Sequence, residues 1–196
     1  PRVSRHAFTT FADHVLTTSQ KITDHFQQIF HLTAEHITTL PTGIDVSRFH
    51  PTGAKAELPI RQEPGAPPVI GMVSVLRSWK GHGVFFDAVR KLHEAGHCFQ
   101  CVVVGGGAPV EVFAGMARQH GVEDQVKFAG HREDVPEVLR ALDVLCIPSV
   151  KHEGVPQIGL QALACGTSVV GSDCGGIPEI IQDGMTGRIA PTGDAD

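Results

Sequence analysis

Three side chains stand out by type and place. Glu153 lies in VLCIPSVKHEGVPQIGLQALA, where an apolar run that reads as a strand hands over to a pattern that reads as a helix. Ligands of open α/β sheets sit where strands end and helices begin. A carboxylate at that junction faces the amide donors of the helix start, an odd place to spend charge on stability alone, so a ligand site is expected there. Arg77 and Lys80 occupy a second such junction, LRSWKGH, just ahead of helical amides that favour an anion. Lysine is a point charge and arginine a two-pronged donor, a pairing suited to a diphosphate. The alternative for two basic loop residues is simple solvation.

Other reactive-looking residues carry less. Gly105-Gly106-Gly107 follows an apolar run, where glycine lets backbone approach a ligand, but GGGAPV lacks the dinucleotide fingerprint and a tight turn is the alternative. There is no P-loop lysine-serine pair. Cys98 and Cys101 form a C-x-x-C within a strand-like run, where an odd separation points the thiols to opposite faces, wrong for chelation or an easy disulfide. The five cysteines are an odd number and read as free thiols of a reducing compartment. The twelve histidines are scattered, and the helical pair His93 and His97 is interrupted by Gly96, so solvated histidine is favoured over a metal site. Glu179 in GGIPEII reads as a structural carboxylate favouring the first turn of a short helix. Gly175 and Gly176 serve backbone geometry, and Trp79 packs at the base of its loop.

The elements that must hold these residues follow from periodicity. The strand signals are HVLTT and HITTL, then VIGMVSV, FQCVVV, QVKFAG and DVLCIP, and a last strand between the helix that follows Glu153 and the Gly175-Gly176 turn. Ser19 caps a helix with Ile22, Phe26, Ile29 and Phe30 on one face. A later helix carries Val84, Phe85, Ala88, Val89 and Leu92 and ends at Gly96, and PVEVFAGMARQHG and DVPEVLRAL continue the alternation. Continuous apolar strands alternating with amphipathic helices specify an α/β fold, a Rossmann-like doubly wound parallel sheet covered on both faces. Residues 1–45, with the end of a helix expected over residues 1–13, read as the last portion of another domain. Residues 46–68, rich in proline and glycine, read as a linker, and 69–196 as the main domain, with PTGDAD resembling the cap of a further helix. A formal charge of −5 leaves no basic stripe for nucleic acid. No apolar run is long enough to span a membrane and no signal-peptide layout is present, so a cytoplasmic protein is expected.

Taken together, several stretches resemble one family in order and spacing. Glu153, seven intervening residues and the amide of Gln161, followed by ALACGTSVVGSDCGGIPEII, resemble the C-terminal, donor-binding domain of GT-B, family 4 (group 1) glycosyltransferases. ADHVLTTSQ, LPTGIDVSRFHP, the WKG loop, FAGHREDVPEVL and ALDVLCIPS extend the resemblance over nearly the whole chain. It implies that residues 1–45 end a truncated N-terminal acceptor domain and that a nucleotide-diphosphate sugar, UDP- or GDP-linked, lies in the cleft as substrate, with no metal required. Lys80, with Arg77, would neutralise the diphosphate leaving group; Glu153 would bond hydroxyls of the transferred sugar. The amides of Gln157 and Ile158 would meet phosphate oxygens, with Gly154 beside them, and Gly130, His131 and Val135 would border the base. Gln161 stands where the family usually has a second glutamate on the ribose, and Val75 where it usually has an arginine, which makes Arg77 a substitute.

The function implied is retaining transfer of a sugar to a glycan or lipid-linked acceptor in bacterial envelope polysaccharide or lipopolysaccharide synthesis, with peripheral membrane contact through the N-terminal domain. A nucleotide-sugar epimerase, or a binding module without catalysis, are the alternatives. The 196 residues alone are expected to bind donor weakly without transferring sugar.

Overall fold

The computed structural model describes residues 10–151 and 153–196. Most of the helix end expected over residues 1–13 lies outside them. The first unit is β1 (Val15–Thr17), helix α1 (Gln20–Phe30) and β2 (Ile37–Thr39), with the two short strands paired in parallel, Val15 opposite Ile37. Ser19 is extended and its hydroxyl accepts from the Ile22 amide at 3.1 Å, as its residue type predicts for an N-cap. The helix is rotated from the expected stripe. Ile29 is exposed, and Thr23 is buried instead, its hydroxyl bonded to those of Thr17 and Thr39. These hydroxyl partners come from both strands, so the polar link sets the helix azimuth that periodicity alone assigned to apolar residues.

The main unit runs β3 (Val69–Val73), α2 (His82–Glu94), β4 (Gln100–Val104), α3 (Val110–Gln119), β5 (Val126–Gly130), α4 (Val135–Ala141), β6 (Val144–Ile147), α5 (Gln157–Ala164), β7 (Ser168–Ser172) and β8 (Gly187–Ala190). Its six strands are ordered β5-β4-β3-β6-β7-β8 and every neighbouring pair is parallel. Alternation along β4 shows how both faces are filled. Cys101 and Val103 join Phe85, Phe86, Val89 and Phe113 of α2 and α3, while Val102 and Val104 join Val138, Leu139 and Ala162 of α4 and α5. Phe86, fully buried, was absent from the stripe expected for α2, which is centred on His82, Phe85, Phe86 and Val89.

β8 was not expected from the sequence. Gly187-Arg188-Ile189-Ala190 has little strand propensity, but it covers the edge that β7 would otherwise leave unpaired, register Val169 to Gly187 through Ser172 to Ala190. Segment 46–68 has no regular structure yet is packed down, with Phe49, Ala56 and Leu58 buried in the same core as α4. Buried Arg140 of α4 holds it by donating to the carbonyls of Ala54 at 2.8 Å and His50 at 3.2 Å while pairing with Glu137 at 3.0 Å. Among the described residues no helix is long and apolar enough to cross a membrane.

Candidate functional site

In this strand order the chain leaves β3 in one direction and β6 in the other, and a crevice opens at the carboxyl ends of those two strands. A cavity of about 830 Å³ lies there, lined by Lys80, Ser149, Glu153, Gln157, Ile158 and Gln161 on one side and by Gly105–Gly107, His131, Arg132 and Val135 on the other. The sequence-derived candidates Lys80, Glu153, Gln157, Ile158, Gln161, His131 and Val135 thus share one space, although Lys80 and Glu153 are 73 residues apart.

Two local devices bring Lys80 to Glu153. Lys80 ends a single 3-10 turn (Ser78–Lys80), and Gly81 follows with φ 80°, where a Cβ would lie 1.8 Å from the Pro148 carbonyl oxygen. Only glycine permits that approach. The Trp79 carbonyl also accepts the Val150 amide at 2.9 Å, so the loop after β3 is tied to the loop after β6. Lys80 Nζ then lies 2.8 and 3.0 Å from the two Glu153 carboxylate oxygens. Ser149 Oγ donates to Glu153 Oε2 at 2.6 Å, and the Ser149 carbonyl accepts from the Ser172 hydroxyl at 2.6 Å. The Glu153 side chain is 8% exposed and that of Lys80 19%, so the pair is largely shielded from water.

This corrects the expected orientation of Glu153. Its carboxylate does not face the helix start but is turned to Lys80 and Ser149, because a cation and a hydroxyl offer stronger, nearer donors than amides beyond Pro156. α5 begins at Gln157 with Pro156 as N-cap and no side-chain capping bond. The Gly159 amide is taken by the Pro156 carbonyl at 3.0 Å, which leaves the amides of Gln157 and Ile158, both cavity-lining residues, as the donors of the helix start. The backbone of Glu153 rests on Gly175, whose φ of 56° brings it so close that a Cβ would sit 1.8 Å from the Glu153 carbonyl oxygen.

Three candidates lie elsewhere. Arg77 stands over the Trp79 ring, 5.5 Å from its centroid, and is not among the cavity-lining residues. Gly130 ends β5 behind the cavity wall, where its carbonyl accepts the Gly105 amide at 2.8 Å and so fixes the glycine loop. Gly154 packs outward, and a Cβ there would meet Thr18 Oγ1 of the first unit at 2.8 Å. Glu179 is also placed differently from expectation. It does not serve its own short helical turn: its two carboxylate oxygens accept the Gln20 and Lys21 amides, each at 3.0 Å, at the start of α1. The macrodipole argument holds, for a helix far away in sequence.

Sequence reasoning missed Ser149 and Arg132 as site residues and left the glycine loop open between ligand contact and plain turn. Ser149 had a signal, a small hydroxyl directly after a strand at the carboxyl edge, four residues before the acid. Arg132 is held at the cavity rim by a bidentate pair with Asp134, 2.8 and 2.6 Å, which lowers the Asp134 carboxyl below its ordinary range. Cys146 also lines the cavity, and burial pushes its thiol up to about 12, so it supplies no thiolate. All five cysteines are free, Cys98 exposed and Cys101 buried. Among the described residues no group of three or more His, Cys, Asp or Glu could hold a metal ion.

The family profile described as Glycosyl transferases group 1 matches residues 67–196, about two thirds of the chain. The chain belongs to this family. As a group 1 glycosyl transferase chain it is 32% identical over 169 residues to the amylovoran biosynthesis glycosyltransferase AmsK of Erwinia amylovora, covering 83% of this chain and 40% of that protein. It is also 32% identical over 187 residues to the D-inositol 3-phosphate glycosyltransferase of Corynebacterium jeikeium, covering 89% of this chain and 44% of that protein. The chain therefore spans less than half the length of these relatives. Its fold is that of GT-B glycosyltransferases: Anabaena Alr3699/HepE, solved in complex with UDP and glucose, superposes with a TM-score of 0.82 at 24% identity over 99% of this chain and 53% of that one. The C-terminal domain of the group 1 protein LpcC from Francisella tularensis matches with a TM-score of 0.62 at 27% identity, covering 78% of this chain and 82% of that domain.

Proposed function

We propose that this chain carries the donor site of a retaining glycosyltransferase, which moves a sugar from a nucleotide-diphosphate sugar to a glycan or lipid-linked acceptor of envelope polysaccharide. The observation that carries the reading is the shielded Lys80–Glu153–Ser149 constellation, set beside the uncapped start of α5 in the crevice where the strand order reverses. In this reading the diphosphate lies between Lys80 and the Gln157 and Ile158 amides. Glu153 accepts hydrogen bonds from hydroxyls of the transferred sugar, and Gln161 from those of the ribose. The base lies against His131, Arg132 and Val135. Residues 1–45 belong to an acceptor domain, and segment 46–68 joins it to the donor domain.

The chemistry asked of these residues is electrostatic. The bond between the anomeric carbon and the phosphate oxygen breaks, the acceptor oxygen bonds to that carbon from the same face, and the acceptor proton goes to the departing phosphate. Negative charge grows on the leaving group, where Lys80 and preorganised amides stabilise it most. No protein nucleophile and no metal are needed for that sequence of events. Names of similar proteins agree with a nucleotide-linked donor. One relative, in Mycolicibacterium smegmatis, is called a GDP-mannose-dependent mannosyltransferase, and HepE was solved with UDP-glucose.

A thermal-shift panel of UDP, GDP, ADP and their common sugars, run on wild type and Lys80→Ala, tests the reading. A ligand at about a hundred times its Kd stabilises the folded state by about 2.7 kcal/mol. At least one nucleotide sugar should raise the wild-type Tm, and Lys80→Ala should abolish most of that rise. A panel that leaves wild type unmoved, or moves both proteins equally, overturns the assignment.

A further inference from the structure

The backbone of Glu153 is held by more than its own loop. The β1–α1 turn of the first unit, Thr18–Ser19, lies directly on the Glu153–Gly154 and Gly175–Gly176 loops of the second. A Cβ on Gly154 would meet Thr18 Oγ1 at 2.8 Å, and one on Gly176 would meet Ser19 Cβ at 2.8 Å and the Gly154 carbonyl oxygen at 2.9 Å. The Gly176 amide donates to that carbonyl at 3.2 Å, and Ser19 is fully buried in the seam. At the rim, the Glu179 carboxylate spans both units by accepting the Gln20 and Lys21 amides at 3.0 Å, and Lys21 Nζ returns a bond to the Asp173 carbonyl at 3.0 Å. These bonds cross between segments more than 150 residues apart and seat the start of α1 on Glu179 and Asp173, beside the Thr18 and Ser19 contacts with Gly154 and Gly176.

We propose that this seam is a positioning element for Glu153, with Glu179 as its clasp, so that the first unit sets the geometry of the sugar-binding carboxylate without touching the ligand. The inference rests on the donor-site reading above. Seating of the α1 start on Glu179 presses Thr18 and Ser19 onto Gly154 and Gly176, and Gly175 supports the Glu153 carbonyl from the other side. Loosening the clasp lets the Glu153 loop drift, while Lys80, the start of α5 and the base wall stay in place. A misplacement of about 1 Å at a catalytic constellation can cost roughly a hundredfold in rate. The sugar contact is therefore expected to suffer and the nucleotide contact to be spared.

The test measures Kd by calorimetry for UDP, UDP-glucose, GDP and GDP-mannose in the complete protein, with amide exchange at Gly176 followed alongside. Glu179→Ala and Gly176→Ala, the second at an ordinary φ of −89° where only the added methyl acts, should each weaken the nucleotide sugar about tenfold and leave the nucleotide within about twofold. Glu179→Gln keeps an acceptor and should fall between. The Gly176 amide should exchange faster in Glu179→Ala. Equal weakening of nucleotide and nucleotide sugar, or no change in either with a lowered Tm, overturns the positioning role. If wild type binds none of the four, the donor reading has failed, and unchanged exchange at Gly176 would then separately sink the clasp.

Discussion

Replacing Glu153 by glutamine should strengthen binding of the bare nucleotide diphosphate while it weakens that of the nucleotide sugar. The structure gives the reason. Lys80 Nζ sits 2.8 and 3.0 Å from the Glu153 oxygens in a site where the two side chains are 19% and 8% exposed. A unit charge pair at that distance, with an effective dielectric of about 20, attracts by roughly 5–6 kcal/mol before desolvation is counted. A diphosphate arriving beside Lys80 must share that cation with Glu153 and is repelled by the carboxylate as well. Glutamine removes both penalties and keeps the volume and the hydrogen bond from Ser149.

Most of the gross attraction is offset, because an incoming phosphate replaces one anionic partner of Lys80 by another. A net gain of about 1–2 kcal/mol is left, roughly a tenfold lower Kd for UDP or GDP. The nucleotide sugar shares the diphosphate gain, but its hydroxyls lose a charge-assisted acceptor worth about 1.5–3 kcal/mol, which leaves a net weakening of about 0.5–1 kcal/mol, a few-fold in Kd. Calorimetric titrations of wild type and Glu153→Gln with the nucleotide and its sugar, at one fixed salt, read both signs. Parallel weakening of the two ligands, or unchanged nucleotide affinity, would refute the idea that the phosphate competes with Glu153 for Lys80.

His82 predicts a pH dependence. It is buried against Phe113 and Phe86, and burial pushes its imidazole down to about 4, with the Arg77 backbone opposing and the Lys80 charge adding to the shift. Above about pH 6.5 it is neutral folded or unfolded, and as pH falls toward 4 only the unfolded chain gains the proton, so about 3 kcal/mol of stability is lost over that window. His82→Phe should make the drop in Tm between pH 7.5 and 5 measurably smaller; an identical drop in both proteins would contradict the assignment. Arg140→Ala removes the two-pronged hold on segment 46–68 together with the pair to Glu137, and loss of a buried, hydrogen-bonded cation costs about 3 kcal/mol or more. Limited proteolysis should then cut between residues 46 and 62 well before the rest of the chain, and an unchanged digestion pattern would argue that Phe49, Ala56 and Leu58 hold the segment alone.

What the sequence made legible is what depends on neighbours along the chain. Apolar runs and helical stripes mark five of the six strands of the large sheet, because strands buried on both faces must be continuously apolar. β8 escaped because its pairing is imposed by the open edge of β7 and not by its own residues. The junction residues were found by the same local logic, and Lys80 and Glu153 do meet. Their direct pairing was not legible, since it depends on the reversal of strand order that sets the β3 loop against the β6 loop. Arg77, placed beside Lys80 by sequence, turns onto Trp79 instead.

Glu179 shows the general form of that limit. A carboxylate next to a proline at a helical turn is rightly expected to seek unpaired amides, and it finds them, yet on α1 rather than on its own turn. Residue type fixes what each group needs, a cation for Glu153, amides for Glu179, a carbonyl for Arg140. Topology fixes who supplies it. Both acids are satisfied by partners from distant segments, Glu153 by Lys80 of the β3 loop and Glu179 by the first unit. The candidate site is thus assembled from three stretches of chain that local sequence reading treats separately, and its charge balance is a property of the fold: the carboxylate that would hold the sugar is kept in place by the cation that would hold the phosphate.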